Sequence, residues 1–323
     1  MQMRALSETL KQVGSALLAL LIISIVTFAA TSIRSPEAVA MNALGREAST
    51  DAINNFIIQN GLDQPLVFRF LTWLWHFVRL DWGMSAVNNR PVSEVVIPWI
   101  SNTLALSVVA LALALPISVW LGLLMAKKWG TATDVGLLSL TVILAGIPEF
   151  VVAIILMFVF ALCLGLVPVD STLADHGTVL ERIQAYVLPT LTLVVVMVPH
   201  MSRIARASAA EALRAPFIKA AILRGMSRSI VLWDYAMRSA AVPFVNAVGI
   251  NVVYLLSGVV VIENVFAFPG IGRLLVQAVA SGDTNVVQAI AVVMGTLFLA
   301  ISFVCDLLVI YFNPKLRRRK GSA

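Results

Sequence analysis

The sequence specifies an all-α polytopic membrane protein with six transmembrane helices and both termini inside the cell. Three observations carry this expectation. Of its 323 residues, 60% are hydrophobic and only 12% are charged, whereas a soluble domain is nearer half apolar and a quarter charged. Apolar runs of about 18 or more residues recur along the chain, enough for a helix to cross the hydrocarbon of a bilayer. The basic residues gather in alternate loops, as the positive-inside rule requires. The mean hydropathy is +0.94. The net charge of +6 could suggest nucleic acid, but the bases lie in short loops beside apolar runs, where membrane orientation accounts for them.

The apolar runs fall at 13–32, 101–126, 136–165, 187–206, 242–262 and 287–312. The first sits where a signal peptide would. It is nevertheless long enough to span roughly 30 Å of hydrocarbon, and Arg34-Ser35-Pro36 makes a poor cleavage site, so it is read as a retained helix. With the N-terminus inside, 127–135 and 207–241 become cytoplasmic loops. Sixteen of the 23 bases then lie inside, among them Lys127, Lys128 and the terminal Lys315 to Lys320 cluster. The other seven, offset by eleven acids, lie outside. The organisation expected is an N-terminal helix with an external segment over 1–95, a five-helix core over 96–313 and a basic tail over 314–323.

Within the external segment, Asp51 to Asn60 reads as a short helix with a cap region at Ser49-Thr50-Asp51 and a stop at Gly61. Val67 to Leu80 is dense in Phe and Trp. It suits an amphipathic helix at the membrane interface, and ordinary packing against the spans suits it equally well.

The chain lacks a GxxxxGK[ST] nucleotide loop, HExxH and GxSxG, so nothing in it points to an enzyme. Cys163 and Cys305 both lie in apolar runs, with no CxxC and no Cys/His cluster to suggest a disulfide framework or a metal. Glu149 and Asp306 sit within or near spans, where a charge is expensive and faces a partner or a wet cavity. Glu149 follows Gly146 and Pro148, which loosen the backbone, and is a pathway candidate; a carboxylate at a helix terminus is the alternative. His200, after Pro199, either lines a polar path or is a hydrogen-bonded structural histidine. Asp306 is read as a structural pairing group.

Between the fourth and fifth runs lies a basic island, Arg203 to Arg238, with seven Lys/Arg against Glu211 and Asp234. Glu211 to Leu213 and Pro216 to Arg224 suit two short helices, with Pro216 in the first turn of the second and Gly225 just past its end. Phe217 and Ile218 are apolar knobs flanked by Lys219 and Arg224. Such a helix can dock in a groove of a soluble partner or lie on anionic lipid.

The residues themselves carry a resemblance. Lys219-Ala220-Ala221, then Gly225, then Val242-Pro243 resembles the EAA loop of ABC-importer permeases, in particular the dipeptide/oligopeptide/nickel branch, first-permease type. Arg90-Pro-Val-Ser-Glu94 with Asn102-Thr-Leu104, Glu263-Asn-Val-Phe266 with Phe268 to Leu274, and Asp306 with Tyr311 to Pro314 resemble the same branch, in order and over nearly the whole chain. Ala215-Pro216 and Ile222-Leu223 depart from it and make the docking helix more apolar.

The resemblance implies a type I ABC importer permease fold in a bacterial or archaeal plasma membrane, the inner membrane of a Gram-negative cell. It implies a second homologous permease, two cytoplasmic ATPases that bind ATP and Mg, and an external substrate-binding protein, with no cofactor in this chain. It makes Arg214, Phe217, Ile218, Lys219, Ala220, Ala221, Arg224 and Gly225 the ATPase-coupling residues. It also makes Glu263 to Asn285 an external, partly re-entrant segment. The competing readings are an ion-coupled secondary transporter using Glu149 or Asp306, and a membrane scaffold. Six spans without an inverted repeat make an awkward carrier.

Overall fold

A computed structural model of the chain describes residues 2–33, 35–45, 48–59, 61–227, 230–231, 244, 248–249, 255 and 259–312. Apart from an isolated bridge between Met84 and Pro91, the regular structure of these residues is helical. The chain forms two compact units, Asn102–Pro269 with Ala300–Ala323, and Gln2–Ser101 with Gly270–Leu299.

The second unit begins with α1 (Gln2–Thr31), α2 (Pro36–Leu44), α3 (Thr50–Gln59) and α4 (Leu66–Val78). Helix α2 was not expected; Ser35 caps it by accepting from the Ala38 amide at 3.3 Å, with Pro36 in its first turn. Helix α3 starts and stops where its residues indicated, since Ser49 Oγ accepts from the Ala52 amide and Gly61 has φ +61°. Phe28 of α1 packs on Phe70 and Trp73 of α4 at ring distances of 5.4 and 5.6 Å. The unit also holds the start of α5 (Val92–Lys127), with α11 (Ile271–Ser281) and the start of α12 (Thr284–Phe312). Its core joins Val92, Val96, Ile271, Leu274, Val286 and Ile290.

The first unit holds the rest of α5, then α6 (Ala132–Ala145), α7 (Glu149–Leu156), a π-helical stretch Met157–Cys163, α8 (Leu173–His176), α9 (Val179–Arg214) and α10 (Pro216–Leu223). The run 136–165 is not one straight span. Helices α6 and α7 bend by 99° across Gly146, Ile147 and Pro148. Pro148 cannot donate to the preceding turn, and its ring disfavours helical backbone at Ile147.

Conversely, α9 is far longer than the run 187–206. A capping box between Thr178 and Glu181 starts it early, and it absorbs Pro189 and Pro199 without breaking. Pro189 leaves the Ala185 carbonyl without its helical donor, and the Ser171 hydroxyl supplies one at 2.6 Å. Glu211 to Leu213 therefore belong to α9 and form no separate helix.

Among the described residues, four helices, α1, α5, α9 and α12, are long and apolar enough to cross a membrane, and the bent α6–α7 pair adds a fifth candidate. Most of the run 242–262 lies outside the described residues.

The first unit's core joins Leu106, Ala110 and Ala114 of α5 to Leu188, Met197 and Met201 of α9, and to Phe266 and Phe268. Small residues on α5 allow close approach, and Gly122 is the extreme case. A Cβ there would lie 2.5 Å from Ala205 Cβ and 2.9 Å from the Ser202 carbonyl oxygen.

Candidate functional site

Helix α10 is joined to α9 through Ala215 alone, whose extended backbone (φ −64°, ψ 144°) ends one helix and starts the next at Pro216. The amide of Gly225 donates to Ile222 O at 2.9 Å, and that of Met226 to Ala221 O at 3.2 Å. With Gly225 at φ +81°, these two bonds form the closing motif that a left-handed residue after a helix makes possible.

One face of α10 is used inside the chain. Ile218 and Ala221 are buried against Leu123 and Ala126 of α5, Ala209 and Ala212 of α9, and Val231. Ile218 is only 1% exposed, so it anchors α10 to its own chain and is not the outward knob expected of it. The outward apolar surface comes from Ile222 and Leu223, 48% and 88% exposed, with Ala220 and Arg224 also exposed. Phe217 and Lys219 lie on the same helix, but their side chains fall outside the described residues.

The end of α9 that carries α10 is held by a charged cluster that the sequence did not single out. Arg206 donates from Nε to Asp134 Oδ1 at 2.6 Å and from Nη2 to Oδ2 at 2.7 Å, a forked pair on a carboxylate that is 1% exposed. The Gly130 amide adds a third donor at 2.9 Å. The guanidinium carbons of Arg206 and Arg214 lie 3.9 and 4.5 Å from the Trp129 ring centre. One turn earlier, Arg203 donates to the Thr141 carbonyl at 3.0 Å. Helix α9 is thus tied to α6 at two levels just before it hands the chain to α10. The available signal was an acid in the first turn of an apolar helix, beside Trp129, in an otherwise basic loop.

Glu149 is the half-buried first residue of α7, at the bend, and His200 is exposed on α9. Neither lines the cavity of about 540 Å³ whose walls include Val109 and Leu113 of α5 and Tyr186, Thr190 and Leu191 of α9. The Asp306 side chain lies outside the described residues. Two of the separately noted segments do meet. Thr103 donates to the buried Glu263 at 2.5 Å, and Asn102 Nδ2 donates to the Pro269 carbonyl at 3.0 Å.

Helices long and apolar enough to cross a membrane, one of them followed after a single residue by a short helix with exposed apolar residues, mark an integral membrane protein. Comparison with known proteins makes this specific. Residues 118–318 match the family described as binding-protein-dependent transport system inner membrane component, and residues 6–107 match its N-terminal component. The chain belongs to this family, and it is a multi-pass plasma-membrane permease of an ABC importer.

A protein of Brucella abortus (strain 2308) that bears the name "Putative peptide transport system permease protein" is 31% identical over 308 residues, covering 95% of this chain and 98% of that one. The glutathione transport system permease protein GsiC of Escherichia coli (strain K12) is 33% identical over 278 residues, covering 84% and 87%. An inward-facing structure of the MetNI methionine ABC transporter superposes with a TM-score of 0.55 at 18% identity, over 68% of this chain and 96% of that chain, which shows the shared fold.

Proposed function

We propose that this permease forms one half of a translocation pathway for peptides or a related small solute, working by alternating access. It is a non-catalytic subunit that pairs with a second homologous permease. Two cytoplasmic ATPases receive α10, and an external binding protein delivers the solute. The peptide class rests on the Brucella relative's name, and glutathione is the alternative that GsiC brings. The topology is six spans with both termini inside, the sixth supplied by the run 242–262, and the permease core is 96–313.

The observation that carries this reading is the single-residue joint at Ala215 between a helix long enough to span the membrane and a short helix presenting Ile222 and Leu223. When the ATPases close on ATP, a docked α10 moves with them. Helix α9, clamped by the Asp134–Arg206 pair, then carries that motion to α6 and the bend at Glu149. Arg214 and Arg224 supply polar contacts beside the apolar pair. Glu149 and His200 are the pathway candidates. Purification of the tagged chain from its host tests the assembly. The expected result is a complex with a second permease and two ATPases that takes up peptide only with ATP and the binding protein. Ion-driven uptake by the chain alone would overturn the proposal.

A further inference from the structure

Helix α4 takes no part in the mechanism proposed above, and its outward surface is divided in two. Val67, Leu71, Trp75 and Val78 recur at i, i+4, i+8 and i+11 and are between 55% and 70% exposed. Arg69, Thr72 and His76 form a separate polar stripe along the helix. The third face is occupied, since Phe70, Trp73 and Phe77 stand in a ring-to-ring series from Phe28 to Trp82 at spacings of 5.4–5.9 Å. No residue of α4 is buried, so the packed face does not account for the apolar one.

Phe28 fixes where this helix lies. It is in the last turn of α1, whose apolar stretch Gly14–Thr31 is long enough to span a bilayer. The same stretch exposes Leu18, Ile22, Ile25 and Val26, between 47% and 60%, as a helix facing hydrocarbon does. A helix fastened to the last turn of such a span sits at the hydrocarbon boundary, where an exposed apolar stripe has lipid to face. The Arg79 guanidinium lies 4.2 Å over the Trp75 ring at the edge of that stripe. Both side chains put an apolar body into the interface and a polar tip into water or headgroups.

The geometry points to α4 as a membrane-surface helix. It lies in the plane of the leaflet at the C-terminal end of α1, with the Val67–Leu71–Trp75–Val78 face immersed in lipid to about 5–10 Å. This inference does not depend on what the importer carries.

The test is nitroxide scanning of residues 67–78 in a Cys163→Ser, Cys305→Ser background, one cysteine at a time, in the intact complex in lipid nanodiscs. Collision with oxygen and with a water-soluble nickel chelate is measured at each position. The expected result is two profiles out of phase with a helical period. Positions 67, 71, 75 and 78 show several-fold more oxygen and less nickel contact than 69, 72 and 76. Nickel contact at 71 and 75 equal to that at 72 would put the face in water and overturn the inference. Low contact with both reagents would put a protein there, such as the binding protein or the second permease, and overturn it equally. Should a label prevent assembly, photolabelling of the unsubstituted complex from a lipid-borne carbene decides between the same outcomes. Adducts on Leu71 and Trp75 and none on Thr72 support a lipid-bound face; their absence contradicts it.

Discussion

Arg206 grips Asp134 through both carboxylate oxygens, at 2.6 and 2.7 Å, across 72 residues of sequence. A carboxylate this buried is stabilised by its partner, and removing one member of such a pair costs on the order of 3 kcal/mol because the other charge is left without it. Replacing both by apolar residues of similar volume avoids that cost. Asp134→Asn is therefore expected to lower the unfolding midpoint of the purified chain and to reduce uptake, while Asp134→Leu with Arg206→Met recovers most of the stability. Equal losses in the single and the double variant would remove the ion pair as the cause.

Gly122 is where α5 comes closest to α9. The atoms a Cβ would meet include the Ser202 carbonyl oxygen and the Arg206 amide nitrogen, each at 2.9 Å, and backbone cannot yield as a side-chain tip can. Gly122→Ala is expected to cost about 1–3 kcal/mol through overpacking. Gly136 on α6 is the matched control, since a Cβ added there would meet nothing within 4 Å. Gly136→Ala should be neutral or stabilising by about 0.5–1 kcal/mol. Thermal unfolding of both variants measures the contrast, and equal midpoints would refute the close crossing.

Gly225 separates backbone conformation from contact. At φ +81° a residue with a side chain is strained by about 1–2 kcal/mol, yet a Cβ there meets nothing within 4 Å. Asn tolerates the left-handed region and Val does not. Uptake per ATP hydrolysed in proteoliposomes should fall in Gly225→Val and stay near the parent value in Gly225→Asn. Full uptake with normal coupling in Gly225→Val would sink the assignment of α10 as a coupling helix.

The residues foretold some of this architecture and were silent on the rest, for physical reasons. Helix α3 and helix α10 with its stop at Gly225 were legible because caps, an early proline and a left-handed glycine are local signals. Helix α9 was underestimated because its apolar run stops short of the polar turns at both ends, whereas the helix runs from the Thr178–Glu181 capping box to Arg214; Ser171, which no local rule connects to that helix, satisfies the carbonyl that Pro189 abandons. Gly146 and Pro148 were recognised as loosening the backbone, but nothing in their spacing foretells a 99° bend. Ile218 shows the limit most clearly. An apolar residue beside a basic one suits an outward knob, and only the packing of α5 and α9 around it shows that it points inward. The Asp134–Arg206 pair is invisible to any pattern confined to neighbouring residues.

The proposed coupling requires that α10 be held by an ATPase through its outward apolar end. Leu223 is 88% exposed, so Leu223→Cys alters nothing inside the chain and places a reactive group at the predicted contact. In a Cys163→Ser, Cys305→Ser background, the intact complex treated with a short bifunctional thiol reagent should give a cross-link from position 223 to an ATPase subunit, with a yield that changes on ATP binding. An assembled complex in which position 223 reacts freely with solvent reagents and never cross-links to an ATPase would rule out α10 as the coupling helix.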